Sequence, residues 1–354
     1  MTRLTGAVSS VCDNAEVRRI LVVMAFTAIA ANAQTAAQLR AGESVNGFPT
    51  WSERVVLEWM NRARVDPQFE MANCGAACGD ASCYTPQPPL YWSETLNHAA
   101  RFHAAEMMQQ GYFAHDSKCT IVSNINTLYP VGCDGSASCA CVGGIDSCAT
   151  GGCTAWSTRV GLFGSSPAGE IIAGSGDPNG AFYLFLHEPA APALCSFTPN
   201  NGHRWLILTS SGGVGVGIDG HETVGDFGSG GVTYKIASAA HYPQQAASVD
   251  IWANWYDAAA PRSATAIVDG HCLPMSLKHG TSTNGAWSAT ANNVGSGCHR
   301  YYISFIDSSG AEVTYPATGS LGIGCADWDT SRALASCSGA TPPPTNTRRR
   351  TARH

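Results

Sequence analysis

The chain has 354 residues, of which 13% are charged, and its formal net charge at pH 7 is −6. Lysine is scarce and the only run of basic residues is Arg348 to Arg350, so the sequence lacks the basic patch of a nucleic-acid-binding protein, and no nucleic-acid partner is expected. The length is sufficient for two ordinary domains, and the low charge predicts a surface covered by Ser, Thr, Asn and Gly.

Residues 1–33 are interpreted as an N-terminal extension followed by a secretory signal peptide. An arginine pair precedes the apolar run 20–31, and Ala31-Asn32-Ala33 has the pattern of a cleavage site. The apolar run is too short to span a bilayer comfortably, so no transmembrane anchor is expected after cleavage. A buried hydrophobic helix is the alternative. The sequence therefore predicts a protein that is secreted, extracellular or in the cell envelope, with a polar arm at 34–50.

The cysteines support export. Of the 15 cysteines, Cys12 would leave with the signal, ten lie between Cys74 and Cys195, and four lie between Cys272 and Cys337. Even numbers in an exported chain predict disulfides, although the sequence does not give their connectivity. A cysteine metal site is the weaker alternative, because no C-x-x-C pair occurs.

Two helices are predicted early in the chain. Apolar residues at helical spacing indicate a first helix at 53–64, and a second begins near Ser93 and ends at Gly111. The aromatic pair Tyr112 and Phe113 is expected to anchor the exit of the second helix in the core. His115 would then be held just beyond the helix end.

Hydrophobic periodicity is lost after residue 117 and returns after residue 167. An insert at 118–167 is rich in Gly, Ser and Cys, and we expect it to need disulfides because it lacks the periodicity of a core. Periodic segments then return, with a helix predicted at 180–187 and strands at 214–218 and 232–237. Residues 51–245 are accordingly predicted to form a mixed α/β domain.

The C-terminal third is predicted to be β-rich. Apolar residues alternate around 249–255 and 299–305, which is typical of half-buried strands, and a helix is considered only at 330–335. We interpret 246–337 as a small disulfide-braced β-sandwich with a binding or spacing role. The Pro/Thr/Arg segment 338–354 is expected to be a disordered tail.

Four residues could carry chemistry together: His115, Glu170, Glu188 and His203. Two imidazoles suit a divalent metal such as zinc, while carboxylates orient the rings or activate a bound water. Each residue also has a structural alternative, since His115 could cap a helix and Glu188 could be a solvated end. His103, on the packing face of the second helix, is expected to be a core histidine.

Several motifs in order resemble the CAP superfamily, which contains cysteine-rich secretory proteins, insect venom allergens, plant pathogenesis-related proteins and bacterial relatives. The motifs are MNRARVDP, PPLYWSETL, LNHAARFHAAEMMQQGYFAHDS, AGEIIA, NNGHRWLILTSSGGVGVGI and GDFG, and they cover roughly residues 51 to 240. The resemblance implies a three-layer α-β-α sandwich with a central cleft lined by two His and two Glu. It implies that His115 and His203 bind zinc or another divalent ion, and that Glu170 and Glu188 line the cleft with them.

The sequence departs from the family pattern at several positions. Ile171 stands where the family usually has Asn, the insert between the first His and the first Glu is unusually long, and His187 makes the assignment of Glu188 ambiguous. The C-terminal region does not resemble the hinge or channel-regulating module of the animal proteins.

Three functions follow as hypotheses. The first is a non-catalytic binding protein whose cleft holds a metal and engages an extracellular lipid, sterol, glycan or protein. The second is a metal-dependent, protease-like hydrolase in which Glu170 or Glu188 is the catalytic base, although neither H-E-x-x-H nor G-x-S-x-G occurs. In the third, the four residues only stabilise the fold and the β-rich region makes the interactions.

Overall fold

The computed structural model describes residues 41–47, 49–145, 153–189 and 195–335. The predicted extension and signal peptide, most of the polar arm and the C-terminal tail lie outside these residues. Within the described ranges the helices are α1 (Trp51–Val65), α2 (Pro67–Met71), α3 (Glu94–Gln110), α4 (Ile125–Leu128), α5 (Ala137–Ala140), α6 (Trp156–Leu162), α7 (Pro178–Leu186) and α8 (Gly202–Thr209). None of these helices is long and apolar enough to cross a membrane.

The strands fall into two regions of the chain. The first region contains β1 (Tyr91–Trp92), β2 (Thr120–Ile121), β3 (Cys141–Val142), β4 (Pro167–Ala173), β5 (Gly213–Asp219) and β6 (Glu222–Gly228). The second contains β7 (Ile236–Tyr242), β8 (Ser248–Tyr256), β9 (Ser263–Val268), β10 (His271–Pro274), β11 (Ser276–Gly280), β12 (Asn284–Asn292), β13 (His299–Ile306), β14 (Glu312–Tyr315), β15 (Ser320–Ile323) and β16 (Trp328–Asp329).

The N-terminal sheet has the order β1-β5-β6-β4 and forms the middle layer of three. On one face, Val214 and Val216 pack in a core with α1, α7 and α8. On the other, α3 lies so close that a Cβ at Gly215 or Gly217 would overlap the α3 backbone. The predicted α-β-α sandwich is therefore confirmed, and the alternating glycines of β5 are the surface that admits the helix.

The ends of the first two long helices follow from their sequences. Thr50 and Glu53 form a capping box at the start of α1. Gly111 ends α3 in the left-handed conformation, with φ of 69°, as predicted. Only Tyr112 of the predicted aromatic anchor is buried, because the Phe113 side chain is 53% exposed.

The cysteine-rich insert shares a core with α3 rather than lacking one. Ile121, Ile125 and Phe163 are buried against Leu96 and Phe102. The disulfides Cys119–Cys141 and Cys133–Cys139 close short loops within the insert, and Cys153 is also disulfide-bonded. The insert thus completes one side of the sandwich, which its irregular composition did not indicate.

The C-terminal region is a two-sheet β-sandwich. One sheet has the order β11-β12-β8-β7 and the other the order β10-β9-β13-β15-β16, with β14 paired to β13. Their inner faces share a core that includes Trp255 and Phe305. Cys298–Cys325 links two loops, and Cys272 is disulfide-bonded as well. The predicted β-rich region is confirmed, but residues 330–335 form no helix.

The last strand expected in the first domain lies elsewhere. Strand β7, at 236–242 rather than 232–237, pairs with β8 and not with the central sheet. The boundary expected near residue 245 therefore falls in the turn between two paired strands. Strand β7 also packs against α1, where Glu58 accepts hydrogen bonds from Ser238 and Asn254 at 2.7 Å each.

Candidate functional site

His115 is held by the structure around the end of α3. The His103 Nε2 atom lies 2.8 Å from the carbonyl oxygen of Ala114, and Arg159 donates a hydrogen bond to the His115 carbonyl at 3.0 Å. The His115 side chain remains 46% exposed. The backbone on both sides of this histidine is therefore fixed while its ring reaches solvent.

Glu170 on β4 orients the His115 ring. Its Oε1 atom lies 2.9 Å from His115 Nδ1, and its Oε2 atom accepts a hydrogen bond from Arg159. Burial acts to raise the pKa of Glu170, but the charge of Arg159, the hydrogen bond from His115 and the charges of His103 and His115 outweigh it and hold that pKa at about 2. Glu170 is thus an anion at neutral pH that accepts the Nδ1 proton of His115.

Asp226 on β6 lies directly opposite Glu170 in the strand register. It is fully buried, and neither carboxyl oxygen accepts a hydrogen bond within the described residues. Burial, followed by the charge of Glu170, raises the pKa of Asp226 well above its ordinary value. The physical consequence is a neutral acid that donates its proton toward Glu170, because two anions cannot face each other in this dry site.

Behind this pair lies a buried polar network. Arg159 donates to Ser117 Oγ at 2.8 Å, and Ser117 donates to Glu106 at 2.9 Å. Glu106 also lies 3.1 Å from Nδ1 of His103, which is fully buried, as expected of a core histidine. Donor atoms of Glu106, Cys119 and Cys141 come within 4.8 Å of one another, but the two cysteines are joined in a disulfide and are not available to a metal.

The second half of the site is built where α7 ends and α8 begins. Glu188 Oε2 lies 3.0 Å from His203 Nδ1, and Glu188 Oε1 accepts a hydrogen bond from the backbone N–H of Arg204 at 3.0 Å. The buried Arg204 guanidinium donates to the carbonyl of Glu188 at 2.8 Å and pairs with Asp80 at 2.7 Å. Arg204 thus fixes Glu188 through backbone groups, whereas the Arg159 guanidinium binds the Glu170 carboxylate directly.

The ambiguity between Glu188 and its neighbour His187 is settled by geometry. His187 Nε2 lies 3.0 Å from the carbonyl oxygen of Glu70, and its ring packs against Tyr183. Glu188, not His187, therefore faces His203.

The two halves meet across a cleft. The ring centroids of His115 and His203 are 6.5 Å apart. Both rings present Nδ1 to a glutamate, and within the described part of the chain Nε2 of neither ring has a hydrogen-bond partner. The four predicted residues are thus brought together, although they do not place three donor atoms within 4.8 Å of one another.

The donor set fits a divalent metal. Histidines that bind zinc commonly donate the other ring N–H to a carboxylate, and Glu170 and Glu188 occupy that position for His115 and His203. Two imidazoles that share one zinc ion have centroids roughly 5–6 Å apart, given Zn–N distances near 2.0 Å. The observed centroid separation of 6.5 Å is slightly longer than this.

The residues that hold His115, Glu170, Glu188 and His203 in place were not predicted from the sequence. They are Arg159, Asp226, Arg204 and Asp80. Arg159 lies in the insert, whose irregular composition concealed the helix α6 that carries it. Asp226 was visible as a lone charge between apolar and glycine residues in GDFG, which is unusual in a buried strand. Ile171, at the position of the usual Asn, points into the apolar core with α1 instead of bracing the cleft.

A three-layer sandwich with a cleft of two His–Glu pairs defines the class of protein. The family model described as CAP, the cysteine-rich secretory protein family, matches residues 57–234, which is half of the chain, and the chain belongs to this family. No curated protein and no solved structure matches the chain.

Proposed function

We propose that the mature chain is an exported CAP-domain protein whose cleft binds zinc or another divalent ion through His115 and His203. Its ligand would be an extracellular lipid, sterol, glycan or protein, bound without catalysis. The observation that supports this proposal most is the pair of imidazoles facing each other, each with Nδ1 engaged by a glutamate and Nε2 uncommitted. Zinc held by two protein nitrogens keeps coordination positions that an oxygen of a ligand can take.

Export is supported by the disulfides and by the family. The described residues contain the disulfides Cys74–Cys78, Cys83–Cys195, Cys119–Cys141, Cys133–Cys139 and Cys298–Cys325. Such bonds form and persist in oxidising compartments outside the cytosol.

The hydrolase alternative requires a carboxylate that takes a proton from a metal-bound water. Glu170 is poorly suited, because its pKa of about 2 makes it a weak base and both of its oxygens are engaged by Arg159 and His115. Glu188 likewise accepts from Arg204 and faces His203. Hydrolysis of casein that is lost in Glu170→Gln while zinc still binds would favour the hydrolase over the binder.

Calorimetric titration with zinc tests the cleft. The wild type is expected to bind one ion per chain, and a His115→Ala/His203→Ala double variant to bind it at least about 100-fold more weakly, because even the loss of residues that only orient ligands costs about 10–100-fold. His221→Ala is the matched control, since this histidine is 71% exposed and lies outside the cleft. Equal zinc affinity in the double variant, or no binding by the folded wild type, would refute the metal site.

A further inference from the structure

A second cavity, of about 690 Å³, lies between the CAP domain and the β-sandwich and shares no lining residue with the His/Glu cleft. It is bounded by the start of α1, the residue before α7, the β7–β8 turn and the segment after β15. Its volume falls within the range of about 300–1,000 Å³ that is usual for small-molecule sites. We call it the junction cavity.

The junction cavity has a rigid aromatic wall. The rings of Trp51 and Tyr242 stack with an interplanar angle of 8° and a centroid distance of 6.2 Å, and Trp59 packs edge-on against Tyr242 at 5.7 Å. The Trp51 indole N–H donates to the carbonyl of His241 at 2.8 Å, which fixes the indole plane. The half-buried Tyr242 ring lines the cavity and is held in place by its contacts with both indoles.

Polar groups with spare hydrogen-bonding capacity surround this wall. Asp327 uses one oxygen to accept from the Trp51 backbone N–H at 2.7 Å, and Asp177 uses one to accept from Gly180 at 2.6 Å. Within the described residues, the second oxygen of each carboxylate, the side-chain amide of Gln244 and the hydroxyl of Tyr242 have no hydrogen-bond partner. Burial, followed by the charge of Asp177, raises the pKa of Tyr242, so its hydroxyl remains a donor.

This combination selects one class of ligand. The described lining residues include two carboxylates and no Lys, Arg or His, so an anion would be repelled. A cationic amine could pair with Asp177 and Asp327 but, having only donors, would leave the Gln244 amide N–H and the Tyr242 hydroxyl proton to solvent rather than to the ligand. A sugar hydroxyl both donates and accepts, and the apolar face of a sugar ring can lie on an aromatic ring.

We propose that the junction cavity is a second binding site of this protein and that it takes a short uncharged carbohydrate. Tyr242 provides the stacking surface, Asp177 and Asp327 accept hydrogen bonds from sugar hydroxyls, and Gln244 donates to them. The site does not depend on metal in the His/Glu cleft.

The test is binding of defined sugars to the full mature chain. Maltotriose, cellotriose, mannobiose and N,N′-diacetylchitobiose are screened by saturation-transfer difference NMR, with spermidine and glucose 6-phosphate as the cationic and anionic comparisons. Each sugar that gives a signal is then titrated by calorimetry up to about 10 mM, so that millimolar dissociation constants are measurable. At least one uncharged sugar is expected to bind saturably.

Variants assign the binding to the junction cavity. Tyr242→Ala and Gln244→Ala are each expected to weaken sugar binding about tenfold or more, because each leaves polar sugar groups without partners. Gln244 is exposed, so its substitution leaves the fold intact, and Tyr256→Ala serves as the matched control at an exposed tyrosine away from the cavity. The His115→Ala/His203→Ala variant is expected to bind the sugar as the wild type does.

Several results would overturn the proposal. They are no saturable binding of any uncharged sugar, binding of spermidine in preference to the sugars, or sugar binding that survives both Tyr242→Ala and Gln244→Ala. Loss of sugar binding in the His115/His203 variant alone would assign the sugar to the cleft and likewise overturn the assignment to the junction cavity. Because zinc binding is measured separately, failure here leaves the proposed metal site standing.

Discussion

At the scale of single residues, the cleft depends on an unequal division of charge between two carboxyl groups. Glu170 carries a charge beside Arg159, while Asp226, opposite it in the sheet, keeps its proton. The anionic Glu170 is what orients His115, and a second anion at Asp226 would compete with it for Arg159. The chemistry of the exposed histidine is thus set by residues that no solvent reaches.

Substitutions of the two buried partners should differ sharply in their effects. Asp226→Asn keeps a neutral donor facing Glu170 and is expected to change the free energy of unfolding by less than about 1 kcal/mol. Arg159→Met leaves the buried Glu170 anion without its guanidinium partner and with only His115 to stabilise it, and is expected to cost about 3–5 kcal/mol. Urea unfolding measures both, with the exposed Arg262→Met as control. A large loss in Asp226→Asn would mean that this carboxyl group is ionised.

At the scale of elements, the junction between α1 and the second sheet contains a buried acid. Burial raises the pKa of Glu58 from 4.5 to about 8, against the hydrogen bonds from Ser238 and Asn254. The folded protein therefore holds this proton where the unfolded chain releases it. The stabilisation is complete below pH 4.5 and is lost as the pH rises to about 8.

Thermal unfolding as a function of pH tests this junction. The wild type should unfold at progressively lower temperature between about pH 6.5 and pH 9, above the range in which buried His241 has the opposite effect, and Glu58→Gln should unfold at a higher temperature than the wild type at pH 9. The Asn254 Oδ1 atom has no partner in the described residues, so a turned amide can accept from the new glutamine. Glu53, whose pKa burial raises to about 7, and Asp226, whose pKa burial raises well above its ordinary value, contribute to the slope that remains, whereas His241, whose pKa burial lowers to about 4, opposes it below about pH 6.5. Glu94→Gln, at a half-exposed side chain, is the control and should show the same pH dependence of the unfolding temperature as the wild type. If the Glu58 carboxyl group were ionised throughout this pH range, Glu58→Gln would also show the wild-type pH dependence.

The packing of α3 on β5 gives a second prediction at this scale. A Cβ added at Gly217 would overlap the backbone of Arg101, which a rotamer change cannot relieve, so Gly217→Ala is expected to cost more than about 3 kcal/mol. Gly161 in α6 has nothing within 4 Å of an added Cβ, and Gly161→Ala should be neutral or stabilise by up to about 1 kcal/mol. Urea unfolding of both variants is the measurement. Similar small effects would mean that the helix is not seated on the strand.

Elements with a local signature were predictable from the sequence. The glycine that ends α3, the capping residues of α1 and the apolar alternation in β8 and β13 each depend only on residues that are close together in the sequence. The pairing of β7 with β8 was not predictable, because the local sequence of an apolar strand does not determine which sheet the strand joins. Helix α6 was missed because its seven residues lie within a glycine- and cysteine-rich segment. The four cleft residues were found through the family motifs, whereas Arg159 and Asp226 required the strand register.

At the scale of the whole molecule, disulfides and aromatic contacts join distant segments. Cys83–Cys195 spans 112 residues and ties the segment after α2 to the segment before α8. The Arg62 guanidinium lies over Trp59 of the CAP domain at 3.8 Å and over Trp252 of the β-sandwich at 5.0 Å. These contacts make the two parts of the chain one packed unit around α1.

Loop closure predicts an order of disulfide contributions. Cys83→Ser/Cys195→Ser opens a loop of 112 residues and is expected to cost roughly 4–5 kcal/mol of unfolding free energy, whereas Cys133→Ser/Cys139→Ser opens one of 6 residues and should cost roughly 2 kcal/mol. Guanidinium unfolding of the two double variants compares them directly. The reverse order would show that chain entropy does not control their contribution.

The proposed function depends on a metal bound in the cleft by the Nε2 atoms of two carboxylate-oriented histidines. X-ray absorption at the zinc edge, on the wild type loaded with one equivalent of zinc, tests it most directly. We expect two imidazole nitrogens at about 2.0 Å, completed by oxygen, and no sulfur near 2.3 Å. The imidazole signal should be absent when the same amount of zinc is added to the His115→Ala/His203→Ala variant. Sulfur ligation, or an imidazole signal that is unchanged in that variant, would rule out the proposed metal site.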